Sequence, residues 1–485
     1  CAGRTFIAGA DISEFGKPMQ PPHFHDTLAA MENMPKPVVA AIHGTALGGG
    51  LETALCCHYR VAVPSARVGL PEVHLGLLPG AGGTQRLPRL IGPEAALDAI
   101  VNGIQIKAQA AQAAGVIDEL VEEGKLLEGA IAFARRMVAS GAPLKKVRDI
   151  NDKVTGVDPA IFDKARATAR KSKRGFQAPL NCIACVEAAC TLPFEAGMAR
   201  ERELFRELVE GVQSAAQRHI FFAERAAAKV DDMPADVKPL PIKTVGVIGA
   251  GTMGGGIAMN FANVGIPVVL LEMEKAALER GLKVVRDNYE RTAKRGGMSA
   301  ADVEKRMALI TPTLDYADLA PVDMVIEAVY ENMGVKKEVF AKLDKVAKPA
   351  AILATNTSTL DVDEIAAVTS RPDKVIGTHF FSPANVMKLL EVVRGAKTSH
   401  ETLATTLAVT KAINKVGVVV GVCDGFVGNR MVHRYISQAQ YMLEEGALPH
   451  EVDDPIYQLG FAMGPLTMSD LAGLDVGWRI RQGKG

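Results

Sequence analysis

Gly249-Ala-Gly251-Thr-Met-Gly254 follows a strand-like run, Ile242 to Ile248, and leads into an Ala-rich stretch of helical character, Met253 to Val264. Glycines at this spacing between a strand and a helix constrain the surrounding chain to a doubly wound α/β sheet. Gly249 permits the tight turn, Gly251 lets the backbone approach a pyrophosphate, and Gly254 allows the helix to pack closely. The next strand, Pro267 to Leu271, ends in Glu272, twenty-three positions after Gly249. A carboxylate there accepts hydrogen bonds from the adenine ribose hydroxyls and repels a 2′-phosphate, so the pattern favours NAD over NADP. Strand-like runs at Met324 to Ile326, Ala351 to Leu353 and Lys374 to Ile376 continue the alternation to about residue 423.

The 485 residues exceed what one hydrophobic core usually organises, so two to four domains are expected. Residues 1–140 again show α/β patterning: β-like runs at Arg4 to Ile7, Pro37 to Ile42 and Tyr59 to Val63 alternate with helix-like stretches at 93–102 and 124–139. Residues 141–241 are expected to form a helical linker region, in which Glu195 to Lys229 repeats apolar residues at helical spacing. Prolines mixed with charge from Asp231 to Pro241 then suit a boundary. Residues 242–423 form the doubly wound domain, and 424–485, helical from Asn429 to Glu445, the start of a further helical domain. Because the sequence begins at Cys1 and stops at Gly485 without an obvious finishing element, a fragment shortened at both ends is expected, so no compartment follows from the lack of a targeting segment.

Charge excludes one class of partner. Fifty-five basic residues balance fifty-five acidic ones, leaving no basic excess for a nucleic-acid backbone. No apolar run is long enough to span a bilayer. Seven cysteines, two of them adjacent at Cys56 and Cys57, do not form a disulfide framework and suit a reducing compartment. Cys182, Cys185 and Cys190 lie among Ala, Val and Leu without a nearby histidine, so they read as small residues on a packed helix and no metal site is expected.

Upstream, strand Val38 to Ile42 feeds Gly44-Thr-Ala-Leu-Gly-Gly-Gly50 and then a helix-like segment bearing Glu52. N–H groups near Gly49 would lie at a helix N-terminus, and a second glycine turn, Ala8-Gly-Ala10-Asp11, could supply another donor. Two such donors polarise one carbonyl. Glu52 and Glu72, on different elements, could together hold and activate one water. A single glutamate is more often a solvated residue. The pair in the company of both glycine turns is what points to chemistry.

Downstream, His379 sits in Gly377-Thr-His-Phe-Phe-Ser-Pro383, just beyond an expected strand, where doubly wound sheets place ligands. Histidine has a pKa suited to taking an alcohol proton, and Glu391 could orient its ring and stabilise the imidazolium.

Ala8-Gly-Ala-Asp-Ile12, Ala46-Leu-Gly-Gly-Gly-Leu-Glu52 and Leu70-Pro-Glu72 through Gly80-Ala-Gly-Gly-Thr-Gln-Arg86 resemble the enoyl-CoA hydratase (crotonase) family. The resemblance implies that Ala10 and Gly49 donate to a thioester oxygen while Glu52 and Glu72 bind water for syn addition to a 2-enoyl-CoA, with 3-enoyl to 2-enoyl isomerisation as a further possibility carried by Glu72. Asn356-Thr-Ser358, His379-Phe-Phe-Ser-Pro with Glu391, and Asp424-Gly-Phe-Val-Gly-Asn429-Arg resemble L-3-hydroxyacyl-CoA dehydrogenase. By that resemblance His379 is the base and Glu391 its partner, Ser358 and Asn429 hold the substrate oxygen and the histidine, and Glu331, Lys336 and Asn356 lie near cofactor or CoA. Relatives often have Asn where this chain has Ser382.

Together the order of motifs is similar to the multifunctional enzymes of fatty-acid β-oxidation. It implies acyl-CoA substrates, NAD, a thiolase partner or self-association, and a bacterial cytoplasmic or eukaryotic peroxisomal setting. The alternatives are a dehydrogenase whose hydratase domain is disabled by truncation, and a non-catalytic acyl-CoA or NAD binding module.

Overall fold

The structure is a computed structural model that describes residues 1, 3–15, 17, 21–474 and 478. Its contacts divide the chain into two compact units, residues 1–222 with 449–485, and residues 223–448.

In the first unit, β1 (Val39–Ile42), β3 (Tyr59–Ala62) and β6 (Glu119–Leu120) form one parallel sheet. In a second sheet β2 (Thr45–Leu47) is parallel to β4 (Arg67–Gly69), which pairs antiparallel with β5 (Gln105–Lys107). Arg4 to Ile7, expected as a strand, makes only the bridge Ile7↔Ala46 beside β2. Gly44, at φ +60°, makes the turn between β1 and β2, where a Cβ would stand 2.4 Å from Arg4 O. Strand β3 is buried along its whole length, consistent with helices covering both faces.

Residues 141–222, expected as a linker, belong to this unit's core. Phe162, Ala169, Cys182, Cys185, Val186, Leu204 and Leu208 bury their side chains in one cluster with Ile42, Leu51 and Leu70. The expected single helix from Glu195 is two, Phe194–Glu210 and Val212–Ala227, separated where Gly211 takes an extended conformation. The region expected as a C-terminal domain is likewise divided. Helix Gly428–Glu444 lies in the second unit, while Pro449–Leu459 and Pro465–Ala472 lie in the first. There Arg174 stacks 3.3 Å from the centroid of the Tyr457 ring and donates from Nε to Tyr457 O at 2.7 Å.

The second unit holds one eight-stranded sheet. Its strands are β7 (Val245–Ile248), β8 (Val268–Leu271), β9 (Ile310–Thr313), β10 (Met324–Glu327), β11 (Ile352–Thr355), β12 (Val375–Phe380), β13 (Leu389–Arg394) and β14 (Val416–Gly421), in the order β14-β13-β12-β11-β10-β7-β8-β9. Every pairing is parallel except β12 with β13. Val-Gly-Val-Ile, Met-Val-Ile-Glu and Ile-Leu-Ala-Thr are buried along their full length, as strands covered on both faces must be. From β7 the chain builds outward to β9 and then returns to β10 on the other side of β7, so a crevice opens beyond the carboxyl ends of β7 and β10.

Gly249, at φ +98°, turns out of β7 into this crevice, where a Cβ would stand 2.6 Å from Ala328 O. A Cβ on Gly254 would lie 1.7 Å from Gly249 O, too close for any side chain. Gly254→Ala is therefore expected to destabilise the second unit by at least the roughly 1–3 kcal/mol typical of overpacking. A thermal melt of the variant checks this, and an unchanged melting temperature would contradict it.

Candidate functional sites

The upstream site forms where three backbone turns converge. The bridge at Ile7 lays the Gly9–Asp11 segment along β2, and Gly50 accommodates it, since a Cβ there would stand 2.1 Å from Ile7 O. A Cβ on Gly49 would sit 3.8 Å from Ala10 N, so the residues carrying the two expected donors lie against each other. Gly49 opens helix Gly49–Cys56, in whose first turn N–H groups have no intrahelical partner. The two expected donors are thus brought together.

Glu52 lies on that helix, 3% exposed, and its Oε1 accepts from Ala81 N at 2.7 Å and Gly83 N at 2.9 Å. Glu72 begins a short 3-10 turn, and its Oε1 would stand 3.0 Å from a Cβ on Gly48. Its Oε2 is buried without a hydrogen-bond partner, which marks it as a group kept for something other than the fold. Burial raises both carboxyls above the usual carboxylate range, and for Glu72 the neighbouring Glu52 adds to it. Glu72 is raised further because Glu52 receives two N–H donors that favour its anion. Both carboxyls are thus raised, Glu72 well above the ordinary value and Glu52 against the pull of its two N–H donors, so the pair is held unequally.

A third carboxylate, Glu201 on helix Phe194–Glu210, escaped the sequence reading. It is fully buried and accepts from Gly82 N at 2.7 Å and Thr84 N at 3.2 Å. In sequence it is one Glu among many Arg and Glu on an amphipathic helix, and only its place on the apolar face could have given it away.

Downstream, His379 lies within β12 rather than beyond it, in register opposite Glu391 of the antiparallel β13. Its Nδ1 is 2.7 Å from Glu391 Oε2. Glu391 Oε1 accepts from Val427 N at 3.0 Å and Gly428 N at 2.7 Å, at the start of helix Gly428–Glu444. Burial opposes ionisation of Glu391, but the bonds from His379, Gly428 and Val427 outweigh it and hold the carboxyl below its ordinary value. With Nδ1 held by an anion, Nε2 is the nitrogen left to accept a proton.

Phe426, also unforeseen, adopts φ +45° and packs its buried ring 5.7 Å from the His379 ring, while Phe381 lies 4.4 Å away, measured between centroids. The unusual backbone at Phe426 turns the following N–H groups toward Glu391. Asn429 is half-buried on the same helix, next to Gly428.

Asn356 Oδ1 accepts from Phe380 N at 2.8 Å, which steadies the end of β12 beside His379. Ser358 donates to Glu331 Oε1 from both N, at 2.7 Å, and Oγ, at 3.1 Å. Lys336, expected near cofactor or CoA, is buried and bonded to Glu327 at 2.7 Å and Glu331 at 3.3 Å. It holds the loop that carries Glu331. Burial resists ionisation of Glu331, yet Lys336 and the Thr357 and Ser358 donors keep its carboxyl below the usual value.

The turn beyond β7 fits a dinucleotide. A Cβ on Gly251 would meet nothing within 4 Å, so the backbone is open to a close-lying group at the N-terminus of helix Thr252–Asn263. Glu272 lies beside the turn, accepting from Ala250 N at 2.9 Å. Among the described residues no cluster of His, Cys, Asp or Glu is arranged to hold a metal, and no helix is long and apolar enough to cross a membrane.

The family described as enoyl-CoA hydratase/isomerase matches residues 1–168. The NAD binding domain of 3-hydroxyacyl-CoA dehydrogenase matches residues 244–423, and its C-terminal domain matches 425–484. The chain is 49% identical to a Danio rerio protein named peroxisomal bifunctional enzyme, over 99% of this chain and 66% of that protein. It is 46% identical to the Homo sapiens protein of the same name, over 99% of this chain and 67% of that one. With an Arabidopsis thaliana peroxisomal fatty acid β-oxidation multifunctional protein, MFP2, it shares 39% identity over 97% of its own length and 67% of the relative's. The chain thus spans about two thirds of the length of these curated relatives.

Proposed function

Because this chain belongs to the family of bifunctional enzymes that join an enoyl-CoA hydratase to an NAD-dependent 3-hydroxyacyl-CoA dehydrogenase, we propose that its two sites carry out consecutive steps of fatty-acid β-oxidation. The first adds water to a 2-enoyl-CoA and the second oxidises the resulting L-3-hydroxyacyl-CoA to a 3-ketoacyl-CoA. The observation that carries the reading is the coexistence in one chain of a buried carboxylate pair with raised pKa values near the Gly48–Gly49 turn, and a buried His–Glu dyad in the sheet that carries the dinucleotide turn.

In the upstream site Ala10 and Gly49 donate to the thioester oxygen and stabilise the enolate. Glu52 takes a proton from water as its oxygen bonds to C3, and Glu72 delivers a proton to C2 on the same face. The same proton carrier suits isomerisation of 3-enoyl esters, a minor extension of the reading. In the downstream site His379 Nε2 takes the hydroxyl proton, and the Glu391 anion stabilises the imidazolium that results. Bound NAD would supply the acceptor for the C3 hydride. Gly249, Gly251 and Gly254 would admit its pyrophosphate and Glu272 would hold its adenine ribose, while Glu331, held by Lys336, and Asn356 would lie near cofactor or CoA. Ser358 and Asn429 hold the substrate oxygen against His379.

We assign the hydratase domain to residues 1–140 together with the helices of 141–222 that complete its core, and, by the family matches, the dehydrogenase domains to 242–423 and 424–485. The relatives' names favour a peroxisome over a bacterial cytoplasm. A 3-ketoacyl-CoA is the substrate class of a thiolase, the partner that the product suggests besides a second copy of this chain.

Glu272→Ala tests the cofactor assignment. It is expected to weaken NAD binding by about tenfold, the loss of roughly 1.4 kcal/mol of hydrogen bonding, and to narrow the preference over NADP. Titration of the variant with each dinucleotide checks this, and unchanged affinity for both would remove Glu272 from the site.

A further inference from the structure

Four consecutive N–H groups, from Ala81 to Thr84, are shared between two buried carboxylates. Ala81 and Gly83 donate to Glu52 Oε1 at 2.7 and 2.9 Å. Gly82 donates to Glu201 Oε1 at 2.7 Å and Thr84 to Glu201 Oε2 at 3.2 Å. The Thr84 hydroxyl also donates to Glu201 Oε2, and its orientation is set by Gln85 Nε2, which donates to Thr84 Oγ1 at 3.0 Å and to Cys185 O at 2.8 Å. The turn is thus gripped from opposite sides. Its conformation requires glycine at 82, where φ is +94° and a Cβ would stand 1.9 Å from Arg86 Nη1.

We propose that Glu201 is a positioning residue of the upstream site: from helix Phe194–Glu210 it fixes the Ala81–Thr84 turn whose alternate N–H groups hold Glu52. The proposal rests on the hydratase reading above. It makes the helical region that follows the first domain a working part of the hydration site.

The charge environment adds a second effect. Glu201 faces Glu52, Glu72, Arg86 and the thiols of Cys182 and Cys185. Arg86 bonds Glu32 from Nε at 3.0 Å and from Nη2 at 2.9 Å, and its charge, like the Thr84 and Gly82 donors, only partly offsets the burial of Glu201. Burial, with Glu52 as the next contributor, pushes the Glu201 carboxyl up to about 8. Ionisation of Glu201 therefore makes every proton on the Glu52–Glu72 pair harder to remove.

Glu201→Gln keeps the shape and one acceptor oxygen but removes the titration. In the whole chain, with crotonyl-CoA as probe, the hydration kcat is expected to fall roughly tenfold or more through misplacement of Glu52. The alkaline side of the kcat–pH profile, above about 8 where Glu201 ionises, should also move to lower pH, because the catalytic pair there loses a neighbouring negative charge. A purely structural role would lower kcat at every pH without moving the profile. NADH formation from L-3-hydroxybutyryl-CoA should stay at the parent rate.

An active parent whose Glu201→Gln variant keeps both kcat and profile overturns the proposal alone, whereas a parent without hydration overturns the hydratase reading beneath it. If a thermal melt shows that Glu201→Gln does not fold, Thr84→Val decides. It removes the hydroxyl donor to Glu201, and the same acidward shift is expected; an unmoved profile overturns the proposal.

Discussion

Glu72→Gln is expected to lower hydration of crotonyl-CoA by about 10²–10⁴-fold, the range over which general acid–base groups act. Glutamine fills the same space and spares the backbone, but it has no proton to give to C2. Oxidation of L-3-hydroxybutyryl-CoA should be unaffected, because β12, β13 and the glycine turn lie in a separate unit with its own core. Loss of enoyl thioester absorbance measures the first step and NADH formation the second. Equal damage to both would mean that the substitution acts through folding.

The sign of the pH dependence follows from the same groups. Burial raises Glu52, Glu72 and Glu201 above their ordinary values, Glu201 to about 8. A carboxyl raised in the folded state contributes stability that is fully present below its unfolded pKa and is lost as pH rises through its folded pKa. The contribution of Glu201 to the stability of the first unit is therefore expected to be lost as pH rises from the ordinary carboxylate range through about 8. A melting temperature that climbs across that range would contradict the raised Glu201 carboxyl.

His379→Gln is the complementary change. It removes the proton acceptor from a buried dyad and is expected to lower NADH formation by about 10²–10⁴-fold while hydration continues. NAD affinity should hold, since Glu272 bonds the glycine turn at Ala250 N while His379 bonds Glu391. Glu391→Gln should act in the same direction. Its carboxylate no longer stabilises the imidazolium, and Val427 and Gly428 lose a charged acceptor. Initial rates with L-3-hydroxybutyryl-CoA and NAD measure both variants, and a dehydrogenase rate unchanged in His379→Gln would remove the dyad from the reaction.

Much of this arrangement was legible because short stretches of sequence carry it. Gly249, Gly251, Gly254 and Glu272 lie within one β-turn-helix-β unit, and Ala10, Gly49 and Glu52 lie on or directly after glycine turns, Gly49 and Glu52 in the helix that the second of them opens. Other features depend on tertiary structure. His379 read as lying beyond a strand, because only the antiparallel pairing with β13 extends β12 through it. Glu201 bonds to a turn 119 positions earlier and looks solvated in a helix rich in Arg and Glu. Lys336 read as a cofactor contact, whereas burial between Glu327 and Glu331 makes it an anchor for its neighbours. Residues 141–222 read as a linker because their apolar spacing does not reveal that they complete the core begun by β1 and β3.

One measurement tests the two-site account most directly: crotonyl-CoA and NAD are supplied to the parent chain, to Glu72→Gln and to Glu72→Gln mixed with His379→Gln, and NADH is followed. The parent should form NADH, Glu72→Gln should form it only when L-3-hydroxybutyryl-CoA is supplied, and the mixture should recover it from crotonyl-CoA, because each variant retains the step the other lacks. NADH made from crotonyl-CoA by Glu72→Gln alone at the parent rate, or a mixture as inactive as either variant, would contradict two separable sites working in sequence.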